Sequence, residues 1–204
     1  MIIALKILPV NPEFSFTLHL LYVIILLLNI SQKRRYVMPY ISISPDKIGG
    51  NLIDLIGSRW MLVTAEKDGV CNTMTASWGG AGVMWNRPSA FVFIRPQRYT
   101  FEFIENSDTL TLSFFGEEHR DALKFCGSVS GRDRDKITES GLTLTHRNGM
   151  PCFEEADLVL YCRKRYAQFL NEESVVDRSV MDTYAAGDFH KMYICEIIAA
   201  EVKE

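Results

Sequence analysis

From Trp60 onward the chain is cut into short runs rich in β-branched and aromatic residues, each closed by a turn signal, with no regular helix between them. Trp60 to Glu66 (WMLVTAE) reads as a strand, Lys67-Asp68-Gly69 as its turn, and Cys71 to Trp78 (CNTMTASW) as the partner strand of a hairpin. Further strands are expected at Ser89 to Arg95, Thr109 to Phe115, Leu142 to His146, Ala156 to Leu170 and Lys191 to Val202. Two segments have helical spacing: Tyr99 to Glu105, and Glu117 to Phe125, which places Ala122 and Phe125 on one face behind an acidic first turn. Many strands and few helices, without a βαβ rhythm, predict a mainly β fold: a closed antiparallel barrel with helices on its outside.

The 204 residues suffice for one domain with a sizeable core, and a formal net charge of -3 offers no basic face for a nucleic-acid backbone. Cys71, Cys126, Cys152, Cys162 and Cys195 are odd in number and widely spaced, with no CxxC pair and no histidine at metal-ligand spacing. They read as reduced thiols, most of them buried, and no metal is expected. Residues 1–37 differ from the rest: Leu18 to Ile30 (LHLLYVIILLLNI) is almost wholly aliphatic and precedes Lys33, Arg34 and Arg35. The run is short for a membrane span, which needs about 20 apolar residues. It also lacks the basic leader and cleavage site of a signal peptide. Three readings stay open: a start-site artefact with the domain beginning at Met38, a single anchor helix, and a cleaved signal. The first two place residues 38–204 in the cytoplasm, with membrane contact only if the anchor is real.

One stretch mixes residue types that a core does not require. In RPQRYTFEFI a strand ends at Arg95, Pro96 prevents its continuation, and a helix begins near Tyr99 or Thr100, so that two guanidinium groups, a hydroxyl and free backbone N–H groups converge. Upstream, Thr73, Thr75 and Ser77 alternate with Met74, Ala76 and Trp78, which puts the hydroxyls on one face of the strand. Gly79, Gly80 and Gly82 follow and let backbone approach a flat ligand. A ligand with a phosphate at one end and a planar, hydrogen-bonding ring at the other satisfies all of this, and flavin mononucleotide (FMN) fits that description. Taken singly, each motif has an ordinary reading as turn, strand propensity or solvated charge.

NTMTASWGGAGVMWNRPSAFVFIRPQRYTFEFI, together with FCGSVSGRDRDKITESGLT, resembles the flavin reductase-like domain family of split-barrel FMN-binding proteins, which includes flavoredoxins and NAD(P)H:flavin oxidoreductases. The resemblance runs from about Ile48 to Val202. It implies a homodimer of split antiparallel barrels with FMN near the subunit interface. By the same resemblance Thr73, Met74, Thr75, Ala76, Ser77 and Trp78 line the ring and ribityl chain, largely through backbone groups. Arg95, Arg98, Tyr99 and Thr100 hold the phosphate. Ser130, Gly131 and Arg132, in a block continuing through Asp133, Asp135 and Lys136, shape the site. The family's Gly-Asp-His block is matched by Gly187-Asp188-Phe189-His190, with Phe189 intervening, and makes His190 a nicotinamide-binding candidate. Cys195 stands where the family often has glycine, and either narrows space beside the ring or packs as a small apolar residue.

The resemblance implies that FMN bears the chemistry and that no catalytic side chain is required. Two functions follow. One is an oxidoreductase passing electrons from NAD(P)H through FMN to a small acceptor. The other is a flavoredoxin-like carrier with tightly held FMN and a redox-protein partner, for which Arg163-Lys164-Arg165 is a possible docking patch. The alternative for that basic run is an exposed strand edge blunted by charge.

Overall fold

The computed structural model describes residues 39–204, so the aliphatic run Leu18 to Ile30 lies outside the described residues. Three tight turns set the local frame. Asp68-Gly69, Trp85-Asn86 and Asn148-Gly149 each have two successive positive φ angles (52° and 76°, 51° and 57°, 51° and 71°). This is the turn conformation whose twist matches a two-residue hairpin. They close β2 (Met61–Lys67) on β3 (Val70–Ala76), β4 (Gly79–Met84) on β5 (Arg87–Ile94), and β7 (Leu144–Arg147) on β8 (Met150–Phe153). The remaining strands are β1 (Tyr40–Ile43), β6 (Thr109–Phe114), β9 (Leu158–Phe169) and β10 (Lys191–Lys203). Strand β4 departs from expectation, because its glycines pair in register with β5 instead of forming an open loop. Strands β1 and β8 were also not anticipated, although Asn148-Gly149 is a strong hairpin signal.

The main sheet is eight-stranded and antiparallel, in the order β3-β2-β6-β9-β10-β5-β4, with β1 on β10. No ladder joins β3 to β4, so the expected closure is not made by hydrogen bonds and the barrel is split between them, at Ser77 and Trp78. Both faces of β2 are covered. Met61 to Ala65 are therefore all buried and show no alternation. Val63, Met74, Val92, Leu112, Leu160 and Cys195 belong to the barrel interior. Leu62, Phe115, Phe153 and Tyr161 belong to a second core.

That second core contains Leu123 and Cys126 of helix α2 (Arg120–Ser128) and residues of the β7–β8 hairpin. Helix α2 begins after a 3₁₀ turn at Glu117–His119, and its buried pair is Leu123 and Cys126, while Ala122 and Phe125 are only half-buried. Helix α1 (Tyr99–Glu105) lies where it was expected and buries Thr100, Phe103 and Ile104. A short helix α3 (Lys136–Glu139) follows the SGRD loop, and a 3₁₀ stretch at Arg178–Tyr184 lies in the connection from β9 to β10. Among the described residues no helix is long and apolar enough to cross a membrane. Four cysteines are buried, Cys71 is half-exposed, and all five are free thiols; Cys195 is wholly inside the barrel core.

Gly79 is needed for close packing rather than for chain reversal. A Cβ there would lie 2.7 Å from the Phe91 carbonyl oxygen, whereas one at Gly80 would make ordinary 3.7 Å contact with the Phe91 ring. Gly79→Ala is expected to lower unfolding free energy by about 1–3 kcal/mol through overpacking against backbone. Gly80→Ala is expected to change it by no more than about 1 kcal/mol, and with a stabilising sign. Urea unfolding of the two variants beside the unchanged protein measures both.

Candidate functional site

Strand β3 ends at Ala76 and β5 at Ile94, and the residues just past these ends meet in a cleft of about 170 Å³. Ser77, Trp78, Arg95, Arg98 and His190 line it, together with Met74, Thr75, Ala76 and Phe93. Pro96 explains why Arg95 stands at the rim: it has no N–H to continue a ladder, and the chain turns there into α1. Arg98 is the N-cap residue of α1, in extended conformation, and its guanidinium donates to the Gly127 carbonyl at 2.8 Å. Arg95 is ion-paired to the Asp188 carboxylate and donates to the Thr183 carbonyl at 3.1 Å. Gln97 also donates to Asp188, at 2.7 Å. The Gln97 hydrogen bond and the Arg95 charge hold the Asp188 carboxyl below its ordinary range.

His190, the last residue of the GDFH block, is 8% exposed. Gly187 has φ +68°, Phe189 stacks on Tyr184 at 4.5 Å, and His190 is directed to the cleft wall. Its ring centroid lies 4.8 Å from that of Trp78, and its Nδ1 lies 3.0 Å from the Tyr184 hydroxyl. Burial lowers its pKa to about 4, and the positive charges of Arg95 and Arg98 push the same way against the opposing pull of Asp188. His190 is therefore neutral at physiological pH, chiefly because it is buried, with the two arginines adding to the shift.

The other expected site residues divide between this cleft and the interior. Thr73 is fully buried, lies 2.9 Å from its cross-strand partner Thr64 (Oγ1 to Oγ1), and donates to the Val63 carbonyl at 3.2 Å. Thr75 donates to the Leu123 carbonyl of α2. Thr100 is buried and accepts from the Asn72 amide at 2.9 Å. Tyr99, Gly131 and Arg132 border a separate groove of about 890 Å³ beside the β2–β3 turn and α3. Arg132 lies over the Tyr99 ring, is ion-paired to Glu102 and donates to the Gln97 carbonyl at 3.3 Å. Ser130 is half-buried, and its hydroxyl accepts from the Arg132 N–H at 3.2 Å. Gly131 is required there, since a Cβ would lie 2.4 Å from Asn72 Oδ1. Lys136 is buried and donates to the carbonyls of Cys126 (3.2 Å) and Val129 (3.3 Å); burial lowers its pKa to about 8.

Tyr184, Asp188 and Phe93 were not anticipated as parts of the site. Asp188 and Tyr184 lie close in sequence to His190, so the GDFH block is the signal that leads to them. The basic run also resolves: Lys164 turns in to the Ile104 carbonyl and Arg165 pairs with Glu196, so two of its three charges are committed within the chain.

The depressed His190 pKa fixes a pH dependence. Between about pH 6.5 and pH 4 the unfolded chain binds a proton at His190 that the folded chain does not. Stability from this group is therefore present above pH 6.5 and is lost as pH falls toward 4. On going from pH 7 to pH 5, urea unfolding should show the unchanged protein losing about 1–2 kcal/mol more than the His190→Gln variant.

The family model described as flavin reductase like domain matches residues 54–204. Among solved structures, an FMN-binding domain of a flavin reductases-like enzyme from Shewanella baltica is 22% identical with a TM-score of 0.60, over 81% of this chain and 78% of that one. A flavoredoxin from Methanosarcina acetivorans is 24% identical with a TM-score of 0.56, over 78% and 76%. The styrene monooxygenase flavin reductase of Pseudomonas putida is 16% identical with a TM-score of 0.54, over 71% and 79%. No curated protein sequence matches. These likenesses extend to the fold: a mainly β, antiparallel split barrel. With its family model covering most of the chain, including both arginines and the GDFH block, the protein is a member of the flavin reductase like domain family.

Proposed function

We propose that the chain binds FMN, with the phosphate at Arg95 and Arg98, and works as an oxidoreductase that takes electrons from NAD(P)H and delivers them to a small acceptor. The observation that carries this reading is the pairing of two guanidinium groups with a buried neutral histidine in one cleft. A positive field with few anions to balance it suits a phosphate ester. The fit extends past the phosphate. Ser77 and Trp78 also border a groove of about 480 Å³ along Gly79, Gly80 and Ala81, which offers backbone groups and an indole face to a planar ring. Asp188 Oδ1 is buried without a hydrogen-bond partner among the described residues, and is an acceptor suited to a hydroxyl-bearing ligand.

Bound FMN supplies the hydride and electron chemistry. The chain's own part is placement. Arg98, tied to Gly127, holds its charge in a set position, and Trp78 and His190 form one wall of the cleft. A neutral His190 exchanges hydrogen bonds with a nucleotide without adding charge. Trp78, Val83 and Trp85, on or beside β4, are large apolar side chains left exposed, which supports pairing with a second copy of the chain. The carrier reading has less support, since Lys164 and Arg165 are already engaged.

Arg98→Ala separates phosphate recognition from general support of the loop. A lost charge-assisted contact is worth roughly 1.5–3 kcal/mol, so the Kd for FMN should rise about ten- to a hundredfold, while riboflavin affinity, read by fluorescence quenching, should hardly move. Arg95→Ala is the less clean variant because it also frees Asp188. Equal weakening of both ligands moves the phosphate elsewhere. The reaction itself is checked by mixing the FMN-loaded protein with NADH or NADPH without oxygen. Rapid bleaching of the oxidised flavin band supports the reductase, and a yellow protein stable to both nucleotides supports the carrier instead.

A further inference from the structure

Metal-ligand spacing is absent from the sequence, yet the fold gathers a ligand set away from the arginine cleft. Glu66 of β2 and Cys71 of β3 face one another in hairpin register across the Asp68-Gly69 turn. His146 of β7 reaches them from the separate two-stranded sheet. Its Nε2 is 2.6 Å from Glu66 Oε2 and 3.9 Å from Cys71 Sγ, and that sulfur is 3.5 Å from the same carboxylate oxygen. All three ligand atoms lie within 4.8 Å of one another. Around a tetrahedral zinc ion with bonds of about 2.0–2.3 Å, neighbouring ligand atoms stand roughly 3.3–3.6 Å apart. The three atoms thus already approximate one face of such a tetrahedron, and sub-ångström side-chain shifts complete it.

We propose that Glu66, Cys71 and His146 form a binding site for a zinc-class divalent cation. The donor set selects the ion: thiolate and imidazole favour Zn²⁺ over Mg²⁺ or Ca²⁺, which take oxygen ligands. On binding, the Cys71 S–H bond breaks and its proton leaves to solvent, the His146 Nε2–H shared with Glu66 is also given up so that the ring stays neutral with its remaining proton on Nδ1, and S–Zn and N–Zn bonds form with no change of oxidation state. Three protein ligands leave a fourth position for water, consistent with the exposed His146 side chain. The ion would join the β2–β3 hairpin to the β7–β8 hairpin at the rim of the 890 Å³ groove, which Cys71 also lines. It would also shield the most accessible thiol among the described residues from oxidation.

The test uses the full chain, stripped with a chelator and titrated calorimetrically with zinc chloride. One zinc ion per chain is expected. Cys71→Ser and His146→Gln should each weaken binding about tenfold or more, and His119→Gln should leave it unchanged. Cobalt(II) added to the unchanged protein should give a sulfur-to-cobalt charge-transfer band in difference spectra, absent from Cys71→Ser. Zinc should slow alkylation of Cys71 by iodoacetamide, mapped by mass spectrometry, and this measurement stands even if a variant fails to fold. Absence of saturable zinc binding, unchanged affinity in both ligand variants, or a cobalt complex without the sulfur band would overturn the proposal and leave the triad as a hydrogen-bonded cluster only.

Discussion

Strand β10 is the element on which the architecture depends. It is 13 residues long and pairs with β9, β5 and β1. In the sheet order it alone connects the β3-β2-β6-β9 half to the β5-β4 half. Register shifts against β9 at Ile194/Cys195 and Ile197/Ala199 bend the strand. Its Tyr193, Cys195, Ile197 and Ala200 all belong to the barrel core.

The pairing of β10 also makes the site. The antiparallel register that sets Ile94 opposite Lys191 places Arg95, just past the end of β5, next to His190 immediately before β10. Two like charges in one cleft repel each other, and the chain offsets that repulsion in two ways. Arg95 is neutralised by Asp188, and Arg98 is held by a backbone carbonyl. Among the described residues Arg98 has no carboxylate partner, and its charge adds to the burial that depresses the His190 pKa.

Much of this was legible in the sequence because the signals were local. Asp68-Gly69 marked a hairpin, Pro96 marked the end of a strand, and the paired apolar runs marked β6, β9 and β10. Strand β4 was not legible: Gly79, Gly80 and Gly82 have no propensity for a strand, and only close passage beside Phe91 accounts for Gly79. The burial of Thr73 was not legible for a related reason. Period-two alternation separates two faces but does not say which one is open, and here α2 and the small hairpin cover the hydroxyl face as far as Thr73. The triad at Glu66, Cys71 and His146 spans 80 residues, with its third member on another sheet, so no spacing rule could find it. His190 was visible as part of a motif, yet its burial came from Phe189 and Tyr184, whose stacking no linear pattern encodes.

The ion pair between Arg95 and Asp188 links two events that look separate. Asp188 belongs to the long connection between β9 and β10, and its charge occupies the guanidinium that an incoming anion would also engage. An anion bound as proposed and the carboxylate would be rivals for one partner, which would tie the order of that connection to occupancy of the cleft. Reciprocity follows: whatever factor the Asp188 contact takes from anion affinity, the anion takes from the contact. On the proposed reading the connection would act as a competitor, setting affinity through a residue that belongs to none of the barrel strands.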